Sequence, residues 1–320
     1  MTEHDLPETD PIEPESTHPR VFPPKPEVVE KKQNSATRSL LSLFIYALLF
    51  YFIFDQNIVY IAAILVVLII HELGHFAFMK WYGYSNVKIF IVPLLGAFTS
   101  GKKQEVSQKQ LSLIILGGPV PGIVIGCVLF WLNRDWQNDT VKMLYQTFLF
   151  INILNCLPFH PLDGGRLIET LFFNENYLIR RIFGIISVVV LGLLFLYQQN
   201  FILLIVPVLI TLELMNEHKH HKIREYLKQE NIRSRIEYED LTNEEYWLIR
   251  DCVLLSYPKK YAGVSPGVHQ YSAIEPLLVQ HVSAVLQVHL KNDLRSYAKV
   301  AFLLFYLLLF ILPIALYAFA

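Results

Sequence analysis

The run His71-Glu72-Leu73-Gly74-His75 interrupts an otherwise apolar stretch, residues 58–78. On a helix, positions four apart share a face, so the two imidazoles stand one turn apart with Glu72 beside them. Two histidines at that spacing suit Zn²⁺, and the glutamate between them is placed to act as general base toward an activated water. The same stretch is long enough to cross a bilayer, which takes roughly 20 apolar residues. Ionisable groups are costly at that depth and mark function when they occur there. The chain must therefore fold around polar chemistry held inside a membrane.

Composition agrees. Of 320 residues, 53% are hydrophobic and 17% charged, where soluble domains carry about 25% charged. The net charge of −1 gives no basis for a nucleic-acid partner. Cys127, Cys156 and Cys252 are too few and too scattered for a disulfide framework, and the first two fall in apolar segments as small buried side chains. The polar start of the chain carries no cleavable signal peptide pattern, so insertion is expected to rely on internal segments.

Residues 1–38, rich in Pro and Glu, cannot bury enough apolar surface to fold and are expected to form a disordered cytoplasmic tail. Apolar segments follow at 40–54, 58–80, 110–132, 141–158, 182–197, 201–215 and 300–318. The breaks Asp55-Gln56-Asn57 and Gln198-Gln199-Asn200 turn neighbouring segments into tight hairpins. The expected architecture is an all-α polytopic membrane protein with about six to seven transmembrane helices. It divides into a first helix and turn (39–57), a core (58–215), a small mixed cytoplasmic domain (216–297) and a last transmembrane helix (298–320). Between Tyr84 and Ser100, the β-formers Val87, Ile89, Ile91 and Val92 beside turn residues Gly96 and Gly101 predict a small β-hairpin at the membrane edge.

Basic residues orient the chain. Lys31, Lys32 and Arg38, then Lys80, Lys88, Lys102, Lys103 and Lys109, then Arg166, Arg180 and Arg181, then Lys219, Lys222 and Arg224 all fall on one side under alternating threading. The other side receives Arg134 and Lys142. The basic side is expected to be cytoplasmic and to hold the N-terminus and residues 216–297. His75 and His71 lie five and nine residues from Lys80, about 7 to 14 Å below that surface at 1.5 Å per residue.

Two histidines leave a catalytic zinc site short of a ligand. The best donor is in Asn155-Cys156-Leu157-Pro158-Phe159-His160-Pro161-Leu162-Asp163-Gly164-Gly165, where prolines and glycines break a helix at the end of an apolar segment. Irregular backbone at membrane depth is tolerated only when it is buried in protein or lines a wet cavity. Asp163 is the natural ligand of such a loop, although it could also simply cap the helix that follows. His160 reads as part of the wet loop, and Arg166 either balances the charge of the site or anchors at the interface. His218, His220 and His221 read as a solvated juxtamembrane tract.

HELGH together with N-x-x-P-x-x-P-L-D-G-G resembles the two signatures of the site-2 protease family of intramembrane zinc metalloproteases, over about residues 58–215. Gly117-Gly118-Pro119 and residues 93–98 are weaker echoes of the family's Gly-Pro element and membrane-edge strands. The resemblance implies an intramembrane zinc endopeptidase that cleaves transmembrane segments of membrane proteins in regulated intramembrane proteolysis. His71, His75 and Asp163 would hold one Zn²⁺ per chain, and Glu72 would be the general base. Asn155 would hold the substrate backbone or the developing oxyanion. The expected partners are transmembrane protein or peptide substrates and the lipid bilayer of a bacterial plasma membrane. The chain departs from the family at Val120-Pro121-Gly122, where an asparagine often follows the Gly-Pro element, and it shows no PDZ-like insertion or nucleotide-binding tandem. Two other readings compete with the enzyme: a prenyl-protein-type membrane metalloprotease, whose third ligand is a glutamate, and a catalytically silent scaffold of the same fold.

Overall fold

A computed structural model describes residues 22–27, 58–92, 96–103, 105–173, 176–199, 201–287 and 289–318. The segment 40–54, expected as a first span, lies outside the described residues. The fold is mostly helical, with two small two-stranded sheets among the described residues. Helix α1 is Ile58–Trp81, and the antiparallel hairpin of β1 (Ser85–Val92) and β2 (Gly96–Lys102) follows it directly. A third short strand, β3 (Glu105–Ser107), leads into α2 (Gln108–Gly117), whose first turn is capped by the Ser107 hydroxyl accepting from the Gln110 amide. Then come α3 (Pro119–Trp136), α4 (Asp139–Asn155) and the short α5 (Asp163–Ile168).

The apolar run 110–132, expected as one span, lies in one helical stretch long enough to cross, Gln108–Trp136, which a break at Gly118 divides into α2 and α3. Pro119 cannot donate an amide hydrogen, so the helical ladder is interrupted where Gly118 precedes it. Helix α1 packs against α2, α3 and α4, and α3 and α4 pack on each other. Small residues set these distances. A methyl group at Gly74 would overlap the Gly117 carbonyl oxygen, so α1 and α2 approach backbone to backbone.

The C-terminal helix α10 (Ser296–Ala318) packs on α3 and α4, and helix α6 (Tyr177–Tyr197) packs on the segment that follows α5. Their exposed side chains include Leu193, Leu194, Leu196, Leu304, Leu308 and Ile311, a surface suited to lipid and costly in water. Among the described residues, four helical stretches are long and apolar enough to cross a membrane: Ile58–Trp81, Gln108–Trp136, Tyr177–Tyr197 and Ser296–Leu316. Together they mark an integral membrane protein.

Helix α7 (Ile205–Gln229) starts apolar and runs without a break across 215–216 into charged sequence, because Glu, His, Lys and Arg continue the helix readily. Its C-terminal half joins α8 (Asn243–Ser256) and α9 (Glu275–Val285) in a second core. Leu227, Tyr246, Trp247, Ile249, Val253, Leu278 and Val282 are all fully buried there. Strand β4 (His289–Lys291) pairs in parallel with β3, and Asp293 accepts from the Ser107 hydroxyl at 2.5 Å and the Lys109 amide at 3.1 Å. These contacts tie the second core to the start of α2. Residues 22–27, from the segment expected to be a disordered tail, lie against this second core.

Candidate metal centre

Helix α1 carries His71 and His75 one turn apart, both buried, with Glu72 also buried between them. Asp163 arrives from the far side as the first residue of α5. The loop that delivers it turns tightly through Pro158 and Pro161, and a side chain at Gly164 would strike the Cys156 carbonyl. His71 Nε2 lies 3.0 Å from Asp163 Oδ2, His75 Nε2 lies 3.2 Å from the same oxygen, and the two Nε2 atoms are 3.2 Å apart. A methyl group at Gly118 would overlap both imidazoles, so the break between α2 and α3 gives the rings their room.

The tautomer of each histidine follows from its neighbours. His71 Nδ1 is 2.9 Å from Asn152 Oδ1, and His75 Nδ1 is 2.7 Å from the Ile114 carbonyl oxygen. The Asn152 amide is itself oriented, because its Nδ2 donates to the Phe148 carbonyl at 2.8 Å. Its Oδ1 is therefore the end that faces His71. Both partners of the histidines are acceptors, so in the neutral ring that binds a metal each Nδ1 carries the hydrogen and each Nε2 presents a lone pair. Two imidazole lone pairs and a carboxylate oxygen thus converge, and Asp163 Oδ2 is buried with no hydrogen-bond donor. Three acceptors at that separation repel unless a cation lies between them. Ligand atoms about 2.0–2.2 Å from one tetrahedral metal stand at comparable separations from one another. His71, His75 and Asp163 could hold a metal ion.

Glu72 is oriented from the hairpin. The Thr99 hydroxyl, on β2, lies 2.8 Å from Glu72 Oε2 and 3.2 Å from the Glu72 carbonyl oxygen. Arg166 Nη1 lies 3.6 Å from Asp163 Oδ1, on the oxygen turned away from the histidines. Asn155 is half-buried, and its amide donates to the Ile151 carbonyl one turn back at 3.1 Å. Asn152, one turn earlier on α4 and fully buried, is the asparagine that touches a histidine. His160 bonds Glu169 Oε1 through Nδ1 at 3.1 Å and lies 3.8 Å from Glu213 Oε2, so it faces carboxylates of its own.

Asn152, Thr99 and the Ile114 carbonyl were not legible as site groups. They come from three other elements, and nothing in their local sequence signals the contact. The one hint was the absence of a side chain at Gly122. A methyl group there would overlap the Asn152 amide, so the gap in α3 is what admits Asn152.

Residues 59–134 match Peptidase family M50. The matched region carries both histidines, Glu72, the hairpin and the break at Gly118, and it ends before Asp163. The chain is 30% identical over 121 residues to stage IV sporulation protein FB of Bacillus subtilis, covering 35% of this chain and 40% of that protein. It is 27% identical over 113 residues to a zinc metalloprotease of Methanocaldococcus jannaschii, covering 33% of this chain and 32% of that one. The chain therefore spans two fifths or less of the length of these relatives. Among solved structures it is similar to a site-2 protease from Methanocaldococcus jannaschii, with a TM-score of 0.44 and 22% identity over 55% of this chain and 87% of that one. The first of the two motifs, His71 to His75, lies inside the M50 match, and the second, residues 155–165, lies beyond it.

Proposed function

We propose that the chain is an intramembrane zinc endopeptidase that cleaves transmembrane segments of membrane proteins. The observation that carries this reading is the convergence of three buried acceptors, His71 Nε2, His75 Nε2 and Asp163 Oδ2, with Glu72 beside them on an apolar helix. The donor set, two imidazoles and one carboxylate, suits zinc and leaves a fourth position for water or substrate. One Zn²⁺ per chain held there would supply Lewis acidity, polarising the scissile carbonyl and bringing the pKa of a bound water near ~7.

The chain's own groups supply the rest. Glu72 takes a proton from the attacking water and hands it to the leaving amine, and the Thr99 hydroxyl holds one of its oxygens in place for both steps. Asn152 and the Ile114 carbonyl keep the histidines in the tautomer that binds metal. Arg166 offsets the charge of Asp163. Asn155 is assigned to the substrate backbone or the developing oxyanion.

A transmembrane substrate has its carbonyls tied up in helical hydrogen bonds and must unwind to be cut. The β1–β2 hairpin, which reaches Glu72 through Thr99, offers strand edges to which an unwound segment can add. An apolar cleft of about 520 Å³ between Phe78, Leu116, Gly117 and Val120 on one side and Phe302 and Phe305 of α10 on the other supports lateral approach from the lipid.

In this reading the core is 58–215 and the last span is 298–320. Residues 216–297 and the N-terminus face the cytoplasm of a bacterial cell. The complete set of His71, Glu72, His75 and Asp163 favours an enzyme over a silent scaffold, and an aspartate donor disfavours the prenyl-protein class. The test is cleavage of single-span model substrates in detergent or liposomes, with the cut mapped by mass spectrometry. The reading requires cuts inside the span by the wild type and none by Glu72→Gln. Cuts confined to soluble loops, or equal cutting by Glu72→Gln, would contradict it.

A further inference from the structure

The second core, built from α7, α8 and α9, carries a docked peptide. Residues 22–27 read Phe-Pro-Pro-Lys-Pro-Glu. Consecutive prolines favour polyproline II, an extended form with no internal hydrogen bonds, which leaves every carbonyl free. Here each proline carbonyl meets an aromatic donor. Trp247 Nε1 donates to the Pro23 carbonyl at 2.8 Å, the Tyr271 hydroxyl to Pro24 at 2.6 Å and the Tyr238 hydroxyl to Pro26 at 2.7 Å. The Phe22 ring lies 4.8 Å from the His269 ring and packs against the core beside Trp247. An aromatic-lined groove that bonds the carbonyls of a proline-rich strand is a recurring mode of peptide recognition.

Between the prolines sits a lysine socket. Lys25 Nζ donates to the carbonyls of Tyr238 at 2.9 Å, Glu239 at 2.5 Å and Leu241 at 2.7 Å, and lies 5.5 Å from the Tyr238 ring centre. Three carbonyls take up all three ammonium hydrogens. A planar guanidinium has no such geometry to offer, so the socket discriminates lysine from arginine. The Lys25 amide also donates to Asn243 Oδ1 at 2.8 Å.

The peptide is a ligand in character rather than a piece of the core. Pro24 and Glu27 are exposed, the other four residues are half-buried, and every one of these bonds pairs a side chain with a backbone group. Trp247, Ile249, Val253, Leu278 and Val282 close the core beneath it. We propose that this module is a reader of lysine-bearing proline-rich peptides and that residues 22–27 are its resident intramolecular ligand. A second protein presenting an aromatic-Pro-Pro-Lys-Pro segment competes for the same groove and frees the N-terminal tail. The inference is independent of the proteolytic reading.

The probe is a fluorescent synthetic peptide of residues 19–30, titrated into the purified full chain. The native segment competes from within the same chain, so the wild type binds the free peptide weakly. Lys25→Glu sets a carboxylate against three carbonyl oxygens, empties the groove and is expected to bind the peptide at least tenfold more tightly than wild type. Tyr271→Phe added to that chain removes only one hydroxyl and weakens binding several-fold, as does replacing the peptide's lysine by arginine.

Should Lys25→Glu fail to fold, the wild type serves. A nitroxide-labelled peptide in excess must broaden the Trp247 indole resonance. A folded Lys25→Glu chain that ignores the peptide, or a Trp247 resonance untouched at mM peptide, would overturn the proposal. A wild-type dimer that becomes monomeric on Lys25→Glu would place the segment between two copies and overturn its intramolecular part.

Discussion

Asn152 is the most informative residue to change, because it tests how the candidate centre is built and not only which atoms converge. It is fully buried, it accepts from His71 Nδ1 at 2.9 Å, and its own amide is fixed on the Phe148 carbonyl. Asn152→Ala leaves a buried imidazole N–H without a partner, at a cost of about 1–3 kcal/mol. The histidine can escape that cost by moving its hydrogen to Nε2, which is the atom the metal needs. Either way the loss falls on metal binding. At about 1.4 kcal/mol per factor of ten, zinc affinity should fall by about 5- to 150-fold, in the range seen when outer partners of metal-binding histidines are removed. Gly122→Ala should reproduce the defect, because the added methyl group overlaps the Asn152 amide and displaces it. The assay is competition against a calibrated zinc chelator in detergent, with circular dichroism as the folding control. Wild-type affinity in a folded Asn152→Ala chain would refute the orientation argument.

Other consequences are as direct. Thr99→Val removes the hydroxyl held 2.8 Å from Glu72 Oε2. Losing a hydrogen bond to a charged group costs about 1.5–3 kcal/mol, so turnover of a model substrate should drop about 10- to 150-fold with zinc content unchanged. In the second core, Arg250 is fully buried and bonds Glu275 through Nε at 2.8 Å and Nη2 at 3.1 Å. Arg250→Met strands that carboxylate and should destabilise the module by about 3–5 kcal/mol, read by chemical unfolding; Arg250→Met with Glu275→Gln should recover part of the loss. Burial first, then Lys260 and His220, pushes the pKa of His281 down to about 4. The unfolded chain takes that proton near 6.5 while the folded one does not, so this contribution to stability is intact above pH 6.5 and declines as pH falls toward 4. His281→Gln should flatten that decline in a pH series of unfolding midpoints.

The residues of the candidate site are legible to different degrees, for physical reasons. His71, Glu72 and His75 announce themselves because one helix turn brings them together, so their spacing in sequence is their spacing in space. Asp163 was legible because prolines and glycines at the end of an apolar segment require a buried loop. Asn152 and Thr99 were not, since each reaches the site only through helix packing or hairpin placement. The break at Gly118 was hidden in a run that is apolar throughout. Gly-Gly-Pro marks the place, while hydropathy reads the whole stretch as the single span it is long enough to make. The continuation of α7 past 215 was obscured by a change of composition that leaves helix propensity intact. Residues 22–27 look like tail in the sequence because a proline-rich segment builds no core of its own. Its order comes from Trp247, Tyr271 and Tyr238, more than 200 residues away.

The central claim, a zinc centre with Glu72 as its base, is tested most directly by elemental analysis of purified wild type, Glu72→Gln and Asp163→Asn beside a cleavage assay. The account requires about one zinc per chain in wild type, zinc retained without cleavage in Glu72→Gln, and zinc much reduced in Asp163→Asn. Folded wild-type protein without zinc, or full zinc in Asp163→Asn, would contradict it.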